Sequence, residues 1–482
     1  MADPTADNDV ALMAHLLRRA GFGASREELE GYLEMGYEAT VEELLSPTAP
    51  PLPANDAFLM RRYHVDINST MYNESGQTYW LHRMINTRRP LEEKVALLWH
   101  HVFATSCGKI NQIKLVLQQI ETFYRHGTGP FDRLLVEMSK DPAMLYWLDN
   151  KDSHKDAPNE NYGRELLELF SMGVGNYTEQ DVYEASRAFT GWTIQNSALH
   201  TARVTRCSNW PYGKLDWHFE YNADDHDDTG KLFLGHEGRF NGDDIIDIIC
   251  RQEATARFVS RHLYNFFVAD EPQVPAWQTV PPRDPQAIQA LVDTFFQSRY
   301  DIRSMLRVLF NSDFFKNARF AKVKSPTELV VGTVRMAGGH VLPEFEDIDL
   351  AMQTDFMGQA LLDPPSVEGW HTGVEWINTG ALVDRVNFAS KQLDDVDKPG
   401  VRAIIERVRG RGDRFTAEGL VDACLDIMGP ITLSEDTRRE VVEHTRGLGE
   451  VDFGADEGRR TSEERVKEVL QLIVSTREYQ LA

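Results

Sequence analysis

The chain has 482 residues, with 51 Lys+Arg against 75 Asp+Glu and a formal net charge of −24. At 42% hydrophobic and 26% charged residues it has the balance of an ordinary globular protein, long enough to bury a sizeable core. The acidity argues against nucleic acid as a partner, because phosphate contacts need clustered cations, and equally against an anionic membrane surface.

The first residues, MADPTADNDVALMAHLLRRAGFG, carry acids where a secretory signal needs cations, and their apolar run is broken by His15. No stretch of about 20 apolar residues occurs anywhere, so the expectation is a cytoplasmic chain with no membrane association. Cys107, Cys207, Cys250 and Cys424 are far apart and form no C-x-x-C pair, which removes zinc and thioredoxin-like motifs and suits a reducing compartment.

Helical periodicity dominates. A first helix covers about residues 9–20 and stops at Gly21-Phe22-Gly23. Ser25, with Glu28 three residues on, opens a second through a capping box. The proline-rich run at about 46–55 is a loop, and a helix follows at about 77–87. Pro90 sits at a tolerated helix start and leads into Trp99, His100, His101 and Phe103. Further helices are expected at about 109–125 and 130–139.

Asn159 then caps a helix that must stop at Gly173 to Gly175, and Thr178 with Asp181 opens the next. Within Lys214 to Tyr221 the apolar residues Leu215, Trp217, Phe219 and Tyr221 alternate with polar ones, the period of a half-buried strand. With KLFLG after the NADDHDDTG loop, this reads as a β-hairpin inserted into a helical protein.

Helices resume at about 242–250, 255–268, 285–298 and 302–311, and again at Lys324-Ser325-Pro326-Thr327-Glu328. Asp363 to Trp376 is turn-rich and aromatic. The charged tail from Gln392 holds three short helices. The expected fold is therefore mainly α, an irregular multi-helix globular fold with one small β-hairpin insertion at about 214–235. Residues 1–390 would form a helical core that includes an insertion at 195–240, and 391–482 a helical appendage packed on it.

Four constellations could carry chemistry. On the capped helix, Asn161, Arg164, Glu165 and Glu168 lie at spacings of three, four and seven, opposite the stripe Tyr162, Leu166, Leu169 and Phe170. A Glu-x-x-Glu pair can hold a divalent metal if another helix adds ligands, or can form ion pairs with Arg164 and Arg187. Gly163 inside the first turn costs about 1 kcal/mol relative to Ala, so something approaches the backbone there.

In Trp99-His100-His101, neighbouring histidines diverge by about 100° and at most one can face a shared centre. His100 lies about 10.5 Å along the axis from Glu93, too far for both to bind one metal, but it could pair with a platform carboxylate. Asp225-x-Asp227-x-Thr229-Gly230 imitates the first half of a calcium loop, but position twelve is His236, which rejects an EF-hand. His226 and Asp227 could instead form a general-base pair, or belong to a solvated acidic turn. Trp370, His371 and Trp376 could wall a sugar or peptide site, or form a packed corner. No G-x-x-x-x-G-K-[ST], G-x-G-x-x-G, G-x-S-x-G or H-E-x-x-H motif occurs.

Several blocks together resemble the bacterial family catalogued as domain of unknown function 1800. They are HLLRRAGFGAS, LLWHHVFATS, DPAMLYWLDN, NENYGRELLELFSMG with YTEQDVYEASRAFTGW, HDDTGKLFLG, KSPTELVVG and LLDPPSVEGW, in the expected order, and the ending TREYQLA. The resemblance implies no agreed activity. Many relatives resemble exported proteins and accompany a sulfatase- or phosphatase-like superfamily, which makes such a protein an expected partner. Val102 and Phe170 stand where relatives often have histidine.

The residues leave two functions open. One is a metal-assisted enzyme, hydrolytic or oxidative, in which Glu165, Glu168 and His100 hold a divalent metal. Asn161 would help bind the ligand and Arg164 would orient an anionic group, while His226 and Asp227 move protons. The other is a non-catalytic assembly or binding protein whose polar motifs are ion-pair networks. A carbohydrate- or peptide-binding role centred on Trp370 and Trp376 is a further alternative.

Overall fold

The computed structural model describes residues 4–50, 73–110, 112–196, 217–344, 347–454 and 458–482. Local chemistry explains most helix boundaries. Ser25, Thr178 and Ser325 each accept the third backbone N–H of the helix they open, while Glu28, Asp181 and Glu328 return a carboxylate to the cap. Each cap of this kind is worth about 1 kcal/mol. Asn159 caps the helix Glu160–Glu168 through the Asn161 N–H. That helix ends sooner than its glycines suggest, and Gly173 and Gly175 (φ 77° and 89°) shape the turn that follows.

Burial follows the periodicity. In Ile302–Asn311 the buried residues are Ile302, Met305, Leu306, Leu309 and Phe310, one apolar stripe facing inward. Such stripes merge into one hydrophobic core that runs from Met13 to Tyr479 and includes Trp80, Trp99 and Trp192. Among the described residues no helix is long and apolar enough to cross a membrane. Cys107, Cys250 and Cys424 are free and buried, and Cys207 lies outside the described residues.

The molecule is mainly α, with small two-stranded sheets. The strand pairing differs from the sequence expectation. Trp217–Tyr221 (β2) does not pair with the KLFLG segment. It runs antiparallel to Trp192–Asn196 (β1), with Trp192 opposite Tyr221 and Ile194 opposite Phe219. Lys231–Phe233 (β3) pairs instead with His236–Gly238 (β4). Leu234 and Gly235 both have positive φ (45° and 79°), the two-residue turn that folds a strand straight back on its successor. Lys214 to Asp216 lie outside the described residues.

The tail holds four helices rather than three: Pro399–Arg409, Ala417–Ile427, Glu435–Leu448 and Arg459–Val474. Its last residues return to the helix Pro326–Ala337, where the Lys324 N–H donates to the Gln480 carbonyl at 2.9 Å and Val323 bridges to Leu481.

Candidate functional site

The helix Glu160–Glu168 carries the expected polar residues on one element, but most of its polar groups already have partners. Asn161 donates through Nδ2 to the Leu148 carbonyl at 3.1 Å. Arg164 grips Glu179 with both guanidinium nitrogens at 2.8 and 2.6 Å. The close approach at Gly163 is packing, because a Cβ there would meet Ser186 Oγ at 2.4 Å. Only the two carboxylates remain. Glu168 accepts from the Tyr177 hydroxyl at 2.9 Å. Glu165 is half-buried, and its pKa is pushed up to about 7, first by burial and then by the negative charge of Glu168, with Glu368 adding to it.

Other expected members sit elsewhere. His100 is fully buried, edge-on to Trp80 and Trp370 with ring centroids 5.4 and 5.3 Å away. Its Nε2 accepts the Leu362 N–H at 3.1 Å, so the proton of the neutral ring is on Nδ1, which has no partner. Burial pushes its pKa down to about 3. His100 is a core residue, not a partner of the platform.

The hairpin pair is also taken apart. His226 Nδ1 donates to the Thr190 carbonyl at 2.9 Å. Asp227 accepts from Arg187 Nε at 2.7 Å and from Thr229. Burial alone would raise the Asp227 carboxyl, but Arg187 and Thr229 outweigh it and hold it below the usual carboxylate range. Arg187 also binds Glu184 at 2.6 Å, so this is an ion-pair network rather than a base. Asp225 faces His154 at 2.6 Å, away from any shared cation position with Asp227.

Trp370 and Trp376 pack with Val323 in a small buried cluster of their own, whereas His371 is exposed and pairs with Glu375. Glu165, Glu168 and His100 do not form a ligand set. Among the described residues no group of three or more His, Cys, Asp or Glu side chains is placed to hold a metal ion.

What the platform faces is a cavity of about 270 Å³. Glu168 and Glu368 line it, with Phe258, Trp277 and Gln278. Phe258 comes from the helix Glu253–Phe267, and Glu368 from the LLDPPSVEGW block. Two arginines also line it, but both are neutralised. Arg261 binds Glu271 at 2.6 Å and Arg257 binds Glu253 at 2.6 Å. No cation forms an ion pair with Glu165, Glu168 or Glu368 among the described residues.

His262, which the sequence reading passed over, and His101, which it weighed beside His100, stand beside these walls. His262 is buried between Phe258 and Trp277, with ring centroids 4.5 and 4.7 Å away, and its Nε2 has no partner. Burial first, then the nearby His101, depresses its pKa strongly. His101, half-buried, stacks on Trp370 and accepts the Trp370 backbone N–H through Nδ1 at 3.4 Å. Gly369 (φ 81°) permits that approach, because a Cβ there would lie 2.7 Å from His101 Nδ1.

The family model described as a protein of unknown function (DUF1800) matches residues 15–481. No curated protein and no solved structure matches the chain.

Proposed function

The chain belongs to the DUF1800 family, which carries no activity to inherit, and from that premise we propose that it works by binding a small organic cation in the acidic, aromatic cavity beside Glu168. The observation that carries this is a charge imbalance. Every arginine on the walls is paired with its own carboxylate, whereas among the described residues no ion pair involves Glu165, Glu168 or Glu368, and Arg164 acts on Glu165 only from a distance. Like charges repel, so a bound positive charge would relieve the repulsion that Glu168 and Glu368 exert on Glu165. Phe258 suits an ammonium with an apolar body, because aromatic rings attract cations as well as methyl groups, whereas Trp277 already carries the Arg261 guanidinium 4.7 Å from its ring centroid.

The polar motifs away from the cavity support the non-catalytic reading. Arg164 with Glu179, and Arg187 with Glu184 and Asp227, tie helix to helix, so these side chains are held as ion-pair partners.

Calorimetric titration of the full chain with benzyltrimethylammonium at pH 8 tests the proposal. Saturable binding is expected, weakened at least about tenfold in Glu168→Gln and in Glu368→Gln. Affinity should fall between pH 8 and pH 6 as Glu165 takes up a proton near pH 7. Absence of saturable binding, or equal binding by variants that melt like the parent, would overturn it.

A further inference from the structure

A second cavity, of about 600 Å³, lies elsewhere, where blocks distant in sequence meet. Arg18 to Ser25 supplies one wall, Lys324 to Arg335 another, and Glu478 to Ala482 a third. Its volume is in the range of sites that hold a small organic ligand.

Its electrostatics are the inverse of the acidic cavity. Buried cations are normally paired, because an isolated buried charge is costly. Here three are not. Arg18 donates to the Gly429 carbonyl at 2.9 Å, and its Nε is buried without a partner. Lys324 donates to the Tyr479 carbonyl at 2.7 Å and sits 4.0 Å over the Tyr479 ring. Arg385, directly behind Lys324, donates to Gln480 and to the Lys324 carbonyl, and one of its terminal nitrogens has no partner. None of the three forms an ion pair among the described residues.

The acidic side chains on these walls are held mainly by other partners; Glu328 acts on Lys324 and Arg385 only from beyond ion-pair distance. Glu328 is engaged by Lys94 and by Arg19 at 3.2 Å, and also accepts the Ser325 N–H. Glu28 closes its own helix cap and lies 3.6 Å from Arg335. Glu478 accepts from Ser434 and Thr437, with its other oxygen buried and unpartnered. Glu27 is exposed at the rim. Burial, then Arg18 and Arg385, pushes the Lys324 pKa down to about 7, the response of an ammonium crowded by like charge.

We propose that this cleft is a second ligand site, which takes a small organic anion with a carboxylate or phosphate head and an apolar body. The head would lie between Arg18 and Lys324. The body would lie on Leu29, Met336 and Met428, which complete the walls. A bound anion would supply the counter-charge that Arg18, Lys324 and Arg385 lack.

The test titrates the full chain, in a zwitterionic buffer of low chloride, with phenyl phosphate, benzoate and inorganic phosphate. The first two separate the head groups, and the third removes the apolar body. Saturable binding of phenyl phosphate or benzoate is expected, with inorganic phosphate weaker. Arg18→Gln and Lys324→Gln should each weaken it at least about tenfold. Arg88→Glu, on the exposed rim, leaves the core untouched and should weaken it severalfold. Glu168→Gln should leave anion affinity unchanged, which separates this site from the acidic cavity. No saturable binding of any probe up to about 10 mM overturns the proposal. So does unchanged affinity in Arg18→Gln or Lys324→Gln chains that melt like the parent. Should those two fail to fold, unchanged affinity in Arg88→Glu overturns it alone.

Discussion

Gly163 and Ser186 set the distance between the platform helix and the helix after it. A Cβ added to Gly163 would lie 2.4 Å from Ser186 Oγ and 3.0 Å from the Val182 carbonyl. Two effects of Gly163→Ala therefore oppose each other. Helix propensity favours alanine by about 1 kcal/mol, while overpacking a buried contact costs about 1–3 kcal/mol. The clash involves backbone as well as a side chain, so the cost should win. Urea denaturation should show Gly163→Ala less stable than the parent, with part of the loss recovered when Ser186→Ala is added. Stabilisation by the single change would contradict this packing.

Glu165 gives a pH signature. Its folded pKa of about 7 lies above the ordinary 4.5, so the folded chain binds the proton more tightly than the unfolded chain. Its destabilising effect is absent below pH 4.5, grows as pH rises, and is complete above pH 7. Glu165→Gln should therefore be more stable than the parent at pH 8 by about 1 kcal/mol, a figure reduced for solvent screening at a half-buried site. The difference should vanish near pH 4. Thermal melts of both proteins across this window would check it, and a constant difference would refute it.

Glu328 holds two buried cations, Lys94 and Arg19. Removing one cation leaves the carboxylate paired with the other. Removing the carboxylate strands both, and an uncompensated buried charge costs about 3–5 kcal/mol. Glu328→Gln should accordingly be more damaging than Lys94→Met in chemical denaturation. The reverse order would mean that this triad does not carry the charge balance described.

Asp227 bonds to Arg187 at 2.7 Å with little solvent access. Asp227→Asn should cost about 2 kcal/mol, since the buried pair is broken at a site not wholly dry. The depressed carboxyl adds stability above its unfolded pKa near 3.8 that is lost as the pH falls below it. The gap between parent and variant should therefore narrow in acid. A variant as stable as the parent at pH 7 would show that the network is not structural.

Much of the helical framework is legible in the linear order of residues. Ser25 with Glu28, Thr178 with Asp181 and Ser325 with Glu328 mark helix starts because cap and partner are three residues apart. The acidic cavity is legible only in part. Glu165 and Glu168 stand out by spacing, whereas Phe258 and His262 look like any apolar helix until folding sets them against Trp277.

The residue string by itself determined the mainly helical class, the caps, the turn-rich 363–376 segment and the family, because those signals act over a few residues. The three-dimensional arrangement decided the rest. It put β2 against β1, sealed His100 in the core while His101 met Gly369, and brought Glu368 to Glu168 across two hundred residues. Packing and charge pairing depend on which surfaces meet through space, and that choice belongs to the whole core rather than to any local stretch.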